Sequence, residues 1–199
     1  LVFNSIYTAE HYDARLEQKE WNTVDFDDSK WHGVGYRAVP SQNVVSQQVQ
    51  PIRAVDTLTV KSWKQLNDTT YVFDFGQNMA GVTHIKVAGE AGTVIRMKHG
   101  ERLYENGKVN TSNIDVYHRP VDNSDPFQTD ILILSGKGED EFVARFNYKG
   151  FRYVEVTSSK PITLNKKSLT AYFVHSDVEK IGKVIASNEI INKLCKASD

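Results

Sequence analysis

The sequence predicts an all-β fold, an antiparallel two-sheet β-sandwich with a short C-terminal helix. Three observations carry this. Eight short runs rich in β-branched and aromatic residues lie between Arg53 and Val174, with turn residues between them. Tyr71-Val-Phe-Asp-Phe-Gly-Gln-Asn-Met-Ala-Gly81 starts as a strand and ends in a bend. There Gly76 and Asn78 tolerate φ > 0, and Gly81 allows another backbone close by. After residue 175 the spacing changes, and Ile190, Ile191 and Leu194 form one helical stripe that Ser187 could cap.

The elements follow in order. Val2-Phe3 opens the chain, and a strand-like run covers Tyr7 to Gln18. In it Tyr12, Ala14 and Leu16 alternate with His11, Asp13, Arg15 and Glu17, which places the first set inward and the charged set outward. Phe26-Asp-Asp-Ser-Lys-Trp31 reads as a tight turn held by two aromatic residues. Residues 41–51 have linker composition and end at Pro51. The expected strands are Arg53–Val60, Thr70–Phe75, Val82–Ala88, Thr93–His99, Thr129–Leu134, Phe142–Tyr148, Phe151–Thr157 and Ser168–Val174. Gly89-Glu-Ala-Gly92 is hairpin-like, and Glu105-Asn-Gly-Lys108 carries the Asn-Gly turn signal. Lys108 to Phe127, with Pro120 and Pro126, is a long excursion without a clean period. Ile131-Leu-Ile-Leu134 is apolar without alternation, as for a strand buried on both faces.

Composition narrows the function. The 199 residues suffice for a sizeable core, and 40% hydrophobic with 25% charged residues is globular composition. A net charge of −1 argues against nucleic acid as a partner. No apolar run approaches the ~20 residues of a membrane span. The single cysteine, Cys195, excludes an internal disulfide and a cysteine-based zinc site. It leaves the compartment open between cytoplasmic and periplasmic or secreted. The first residue, Leu1, suggests a fragment or a processed form.

Asp74-Phe-Gly-Gln-Asn78 with Ala80-Gly81, Gly100-Glu101, Asn106-Gly107 and Gly150-Phe-Arg-Tyr-Val-Glu-Val156 occur in that order. Together they resemble the sandwich region of bacterial α-L-rhamnosidases, glycoside hydrolase family 78. Tyr12-Asp-Ala-Arg15, Trp21 and Phe26 to Trp31 resemble the end of that family's N-terminal jelly-roll domain. Ser176-Asp177, Gly182 and Ser187-Asn188 through Leu194 resemble the entry to its helical barrel. The resemblance implies three parts. Residues 1–45 would end a jelly-roll domain, 46–175 would form a concanavalin-like sandwich, and 176–199 would lead into an (α/α)6 barrel beyond the chain. It also implies hydrolysis of terminal non-reducing α-L-rhamnose by single-displacement inversion, with acid and base in that barrel and none in this chain. Rhamnose-containing glycoside and the barrel are then the partners. The sequence departs from the family pattern at Ala144, where Pro is common, at Lys149, where His is common, and at Ile131 and Leu132 beside Asp130, where a Tyr is common.

Inverting glycosidases need two carboxyl groups ~6.5–9.5 Å apart, one held protonated. Glu10, Asp13, Asp74, Glu101 and Glu155 are the candidates. Each also has a structural reading. Asp74 suits an Asx-turn onto Gly76 and Gln77, with Arg152 bonding carbonyls or Asp74 itself. Glu101 could pair with Arg96 or Arg102, and Glu155 suits a solvated or paired strand position. Asp13 and Arg15 suit an ion pair. Tyr7, Glu10, Asp13, Arg15 and Trp31 have the residue types of a sugar contact. The resemblance adds calcium, for which Asn4, Glu10, Asp13, Asp27 and Asp28 offer oxygen ligands; otherwise no cofactor is expected. Asp74, Gly76, Gln77, Asn78, Gly81, Glu101, Gly150 and Arg152 form the motif set, read as structural. His11, His32, His84, His99, His118 and His175 show no metal spacing and suit solvated strand positions, with His84 and His99 able to face each other. Cys195 suits packing near the helical stripe. Two further functions stay open, a stand-alone module for rhamnose-bearing glycans and a protein-interaction scaffold.

Overall fold

The computed structural model describes residues 1–6, 8–115 and 126–198, so Tyr7, His118 and Pro120 lie outside the described residues. The strands are β1 (Phe3–Asn4), β2 (Glu10–Asp13), β3 (Ile52–Thr59), β4 (Ser62–Asn67), β5 (Thr70–Ala88) and β6 (Val94–Gly100). They continue with β7 (Arg102–Leu103), β8 (Val109–Asn110), β9 (Thr129–Ile133), β10 (Glu139–Val143), β11 (Lys149–Ser158) and β12 (Leu169–Ser176). A 3-10 turn, Ala14–Leu16, follows β2, and the helix α1 spans Glu189–Ser198.

The two expected strands Thr70–Phe75 and Val82–Ala88 are one 19-residue strand, β5. Gly76, at φ +83°, bulges the chain without reversing it. β11 stays paired across the bulge, Tyr153 opposite Asp74 and Phe151 opposite Met79, with Arg152 between them. The first half of β5 lies between β4 and β11, and the second half lies between β12 and β10. One strand therefore belongs to both layers. Ten strands form a single curled sheet, with β1-β2-β9-β6-β11-β5-β12-β3 as its path and β4 and β10 branching from β5. β7 and β8 make a separate ribbon around the Asn106-Gly107 turn. The β2–β9 pairing is parallel, and the other pairings among the described residues are antiparallel.

The sheet curls over one apolar core. Phe73, Phe151, Ile85, Ile95, Met97, Leu132, Leu134, Leu169, Val154 and Val156 are buried within it. The second half of β5 shows why: Thr83, Ile85 and Val87 are buried, and the alternate residues Val82, His84 and Lys86 are partly exposed. Gly81 faces the opposite constraint. A Cβ there would overlap the carbonyl oxygen of Tyr172 on β12.

Several elements differ from expectation. Gly89 to Gly92 is a turn, but β5 and β6 do not pair, so it links the two layers instead of closing a hairpin. The strand expected over Phe142–Tyr148 runs instead over Glu139–Val143. It stops because the amides of Arg145, Phe146 and Asn147 turn toward the Glu10 carboxylate. The Tyr7–Gln18 run is a strand only over β2, and its alternation breaks at the 3-10 turn. Asp13 is buried and Leu16 is 67% exposed, the reverse of the predicted facing. Asn188, not Ser187, caps α1 by accepting from the Ile190 amide at 2.9 Å. No described helix is long and apolar enough to cross a membrane.

His99 was expected at a solvated position and is fully buried. Its ring meets Thr83 Oγ1 at 2.9 Å and the Gln128 carbonyl at 3.1 Å. Burial pushes its pKa down to about 4, opposed by nearby Asp130 and assisted by Lys149. The unfolded histidine titrates at about 6.5 and so binds the proton more tightly. This contribution is complete above that value and is lost as pH falls toward the folded value, about 3 kcal/mol in all.

Two predictions follow from this packing. Gly81→Ala should lower unfolding free energy by about 1–3 kcal/mol in urea melts, because backbone must move to admit the methyl. His99→Gln should be less stable than the parent at pH 7, yet lose stability less steeply between pH 7 and pH 4.5 in the same melts.

Candidate functional site

The bend in β5 places three motif residues together, Asp74, Gly76 and Arg152. Asp74 accepts the Gly76 amide at 2.7 Å, closing an Asx-turn. Arg152, the one β11 residue opposite the bulged stretch of β5, donates Nε to Asp74 Oδ1 at 2.8 Å and Nη2 to Oδ2 at 2.9 Å. Its guanidinium also lies 4.8 Å from the Tyr153 ring centre. Arg152 is the first cause of a lowered Asp74 pKa, outweighing burial, and the Gly76 amide adds to it. Gln77 and Asn78 are exposed on the bulge. Gly150 donates its amide to Gln128 Oε1 at 3.2 Å. Glu101 is exposed and makes no ion pair with Arg96 or Arg102 among the described residues. Glu155, expected to be solvated or paired, is buried and accepts the Val109 amide at 2.8 Å, which pins the β7–β8 ribbon to β11.

Of the described residues expected to touch sugar, Glu10 and Asp13 line one cleft and Trp31 does not. Glu10 is 1% exposed, and its Oε1 accepts three successive amides, Arg145 at 2.8 Å, Phe146 at 2.5 Å and Asn147 at 3.2 Å. The Glu10 amide in turn donates to Asp130 Oδ1 at 3.0 Å. Asp130 and Lys149 form a buried ion pair at 2.8 Å. Asp13 bonds Arg15 twice, at 2.9 and 2.6 Å, and also accepts the Arg15 amide. The Arg15 bond is the first cause of its lowered pKa. Trp31 stands apart, donating its indole N–H to Gln18 Oε1 at 2.7 Å and packing on Phe26.

Three of the five residues offered to calcium have other partners. The Glu10 carboxylate faces amides, Asp13 faces a guanidinium, and Asp27 is taken by Ser29. A hard cation needs several free oxygens on one centre. Among the described residues no three His, Cys, Asp or Glu side chains come together to hold a metal.

A cleft of about 540 Å³ opens between the β2 segment and β10. Trp21, Tyr12 and Phe146 line it with His84, Glu141 and Glu17. The Tyr12 hydroxyl pKa is raised, first by burial and then by the charge of Glu17. His84 and His99 sit on opposite faces of the sheet. His84 Nε2 lies 3.0 Å from Glu141, and its Nδ1 lies 3.3 Å from the Tyr172 hydroxyl. Lys86 donates to the other Glu141 oxygen at 2.6 Å. The Lys86 bond is the first cause of a lowered Glu141 pKa, and the His84 bond is the second. Sequence reasoning missed this group. Alternation does put His84 and Lys86 on one face, but β10 begins three residues earlier than expected, and that hid Glu141.

Comparison with known proteins agrees with this geometry. The bacterial α-L-rhamnosidase concanavalin-like domain matches residues 64–175, and the α-L-rhamnosidase N-terminal domain matches residues 1–56. An α-L-rhamnosidase of Streptomyces avermitilis is 33% identical over 198 residues, 98% of this chain and 18% of that protein. The structure of α-L-rhamnosidase from Dictyoglumus thermophilum superposes with a TM-score of 0.83 at 39% identity, covering 96% of this chain and 20% of that one. The S. avermitilis enzyme complexed with L-rhamnose gives a TM-score of 0.76 at 32% identity, covering 93% of this chain and 17% of that one. The chain thus spans about a fifth of the length of these relatives. Its curled sheet, bent fifth strand and matched residues place the chain in the bacterial α-L-rhamnosidase family.

Proposed function

We propose that this chain is the β-scaffold part of an enzyme that hydrolyses terminal non-reducing α-L-rhamnosides with inversion. The acid and base then lie in a helical barrel outside these 199 residues. The observation that carries this reading is the state of the carboxyl groups. An inverting acid needs a raised pKa. Asp13, Asp27, Asp74, Glu90 and Glu141 each have a pKa lowered by a bonded partner, the opposite of what such an acid needs. Among the sequence candidates, Glu10 and Glu155 hold amides and Asp74 holds Arg152.

The C-terminal segment supports a buttressing role. Ile181, Val184, Ile185, Ile190 and Leu194 are each more than 60% exposed. An apolar run of this kind lowers its free energy by burial against another element. The partner that fits is the helical barrel of the same polypeptide. Residues 1–45 and 46–175 then act as the end of a jelly-roll domain and as the sandwich, with 176–199 as the lead into the barrel.

The reading makes a direct prediction. The 199-residue chain should release no aryl alcohol from an aryl α-L-rhamnoside above the uncatalysed rate. The protein extended through the barrel should release it, with β-L-rhamnose as the first anomer seen by NMR. Turnover by the 199 residues, abolished by removing one of their own carboxyls, would overturn the assignment.

A further inference from the structure

The contacts that hold β2 are ones a second molecule supplies equally well. We propose that two copies of this chain exchange that strand, so that β2 of each docks on β9 of the other in a two-fold dimer. The lock is compact. β2 lies parallel to β9, with His11 beside Ile131 and Asp13 beside Ile133. The Glu10 carboxylate accepts the amides of Arg145, Phe146 and Asn147, and the Glu10 amide donates to Asp130. These partners lie 120 or more positions further along the chain.

What joins β2 to β3 is long and exposed. Glu17, Gln18 and Trp21 still line the cleft beside β10. From residue 22 to residue 51 every residue but Phe26 is exposed. The closed monomer and the exchanged dimer therefore share the same β2 contacts, and the connector decides between them. Treated as a flexible chain, roughly 30 residues have an r.m.s. span of about 30 Å. That places the tethered strand at an effective concentration on the order of 1 mM. Exchange competes when the protein itself approaches that concentration.

The connector also offers the dimer a contact that the monomer lacks. Val34, Tyr36, Val44 and Val45 are 87%, 96%, 93% and 78% exposed. The stretch Ala38 to Gln50 carries no charge. In a two-fold exchanged dimer the two connectors run between the bodies side by side. Identical uncharged segments do not repel each other, and the valines of one cover those of the other.

The test refolds the 199-residue chain from urea as an equal mixture of 15N-labelled and 13C-labelled copies. At about 1 mM, roughly half the chains should elute as a dimer by size exclusion with light scattering, and the fraction should fall on refolding at about 10 μM. Isotope-filtered NOEs in the dimer should join Tyr12 of one copy to Leu132 or Phe142 of the other. Val44→Ser with Val45→Ser, at exposed positions, should raise the dimer Kd about tenfold and leave the urea midpoint of the monomer unchanged. A chain wholly monomeric at about 1 mM, a dimer whose Tyr12 NOEs stay within one copy, or a dimer Kd indifferent to the double substitution would overturn the exchange.

Discussion

Arg152 holds both carboxylate oxygens of Asp74 across the bulge in β5, and the course of the longest strand depends on that grip. A strand of 19 residues passing straight through would flatten the sheet. The bulge turns it, and Gly76 takes the positive φ that the turn demands. Arg152 alone stands in β11 opposite Phe75 to Asn78, so the ladder continues on both sides of the bulge with its register shifted. The pair is partly solvated, so screening reduces its energy. Its contribution is geometric, since a planar guanidinium meets a carboxylate in only a few orientations. From that point β5 supplies neighbours to four other strands, and both layers of the sheet share it.

A second polar system sits on the other flank of the core. Lys149 and Asp130 are 3% and 1% exposed, and Glu10, Gln128, His99 and Thr83 continue the buried chain of groups. Removing one partner of such an ion pair costs about 3–5 kcal/mol, because the other is left charged and unpaired. The network is consistent throughout, with each charge facing a donor or an opposite charge. It also ties β2 to the body of the sheet, which the apolar contacts of a four-residue strand would do weakly.

Much of this was legible in the residues. Period-two alternation and turn chemistry located most strands, and the pairing of Arg152 with Asp74 was among the readings the residues allowed, but the bulge that keeps 70–88 one strand was not. Local pattern failed where a distant group decided the outcome. Glu10 reads as a candidate acid or sugar contact until the amides of residues 145–147 are brought to it. Asp13 reads as outward until Arg15 folds back over the 3-10 turn. His99 and Glu155 look like solvated strand residues because nothing nearby in the chain announces Gln128 or Val109. The cleft was illegible for the same reason, since its walls come from residues over a hundred positions apart.

The Glu10 contact has a consequence for how the molecule is made. Its acceptors and donors are separated by 135 to 137 positions. The parallel partner of β2 is also late, at residues 131–133. During synthesis β2 therefore emerges with β1 beside it but well before β9 and the amides of residues 145–147. Closing so long a loop is slow, and an unpaired strand is vulnerable while it waits. The docking of β2 on β9 is thus a late step for this sheet, and the interval before it is when the strand is most exposed to chaperones and to neighbouring chains.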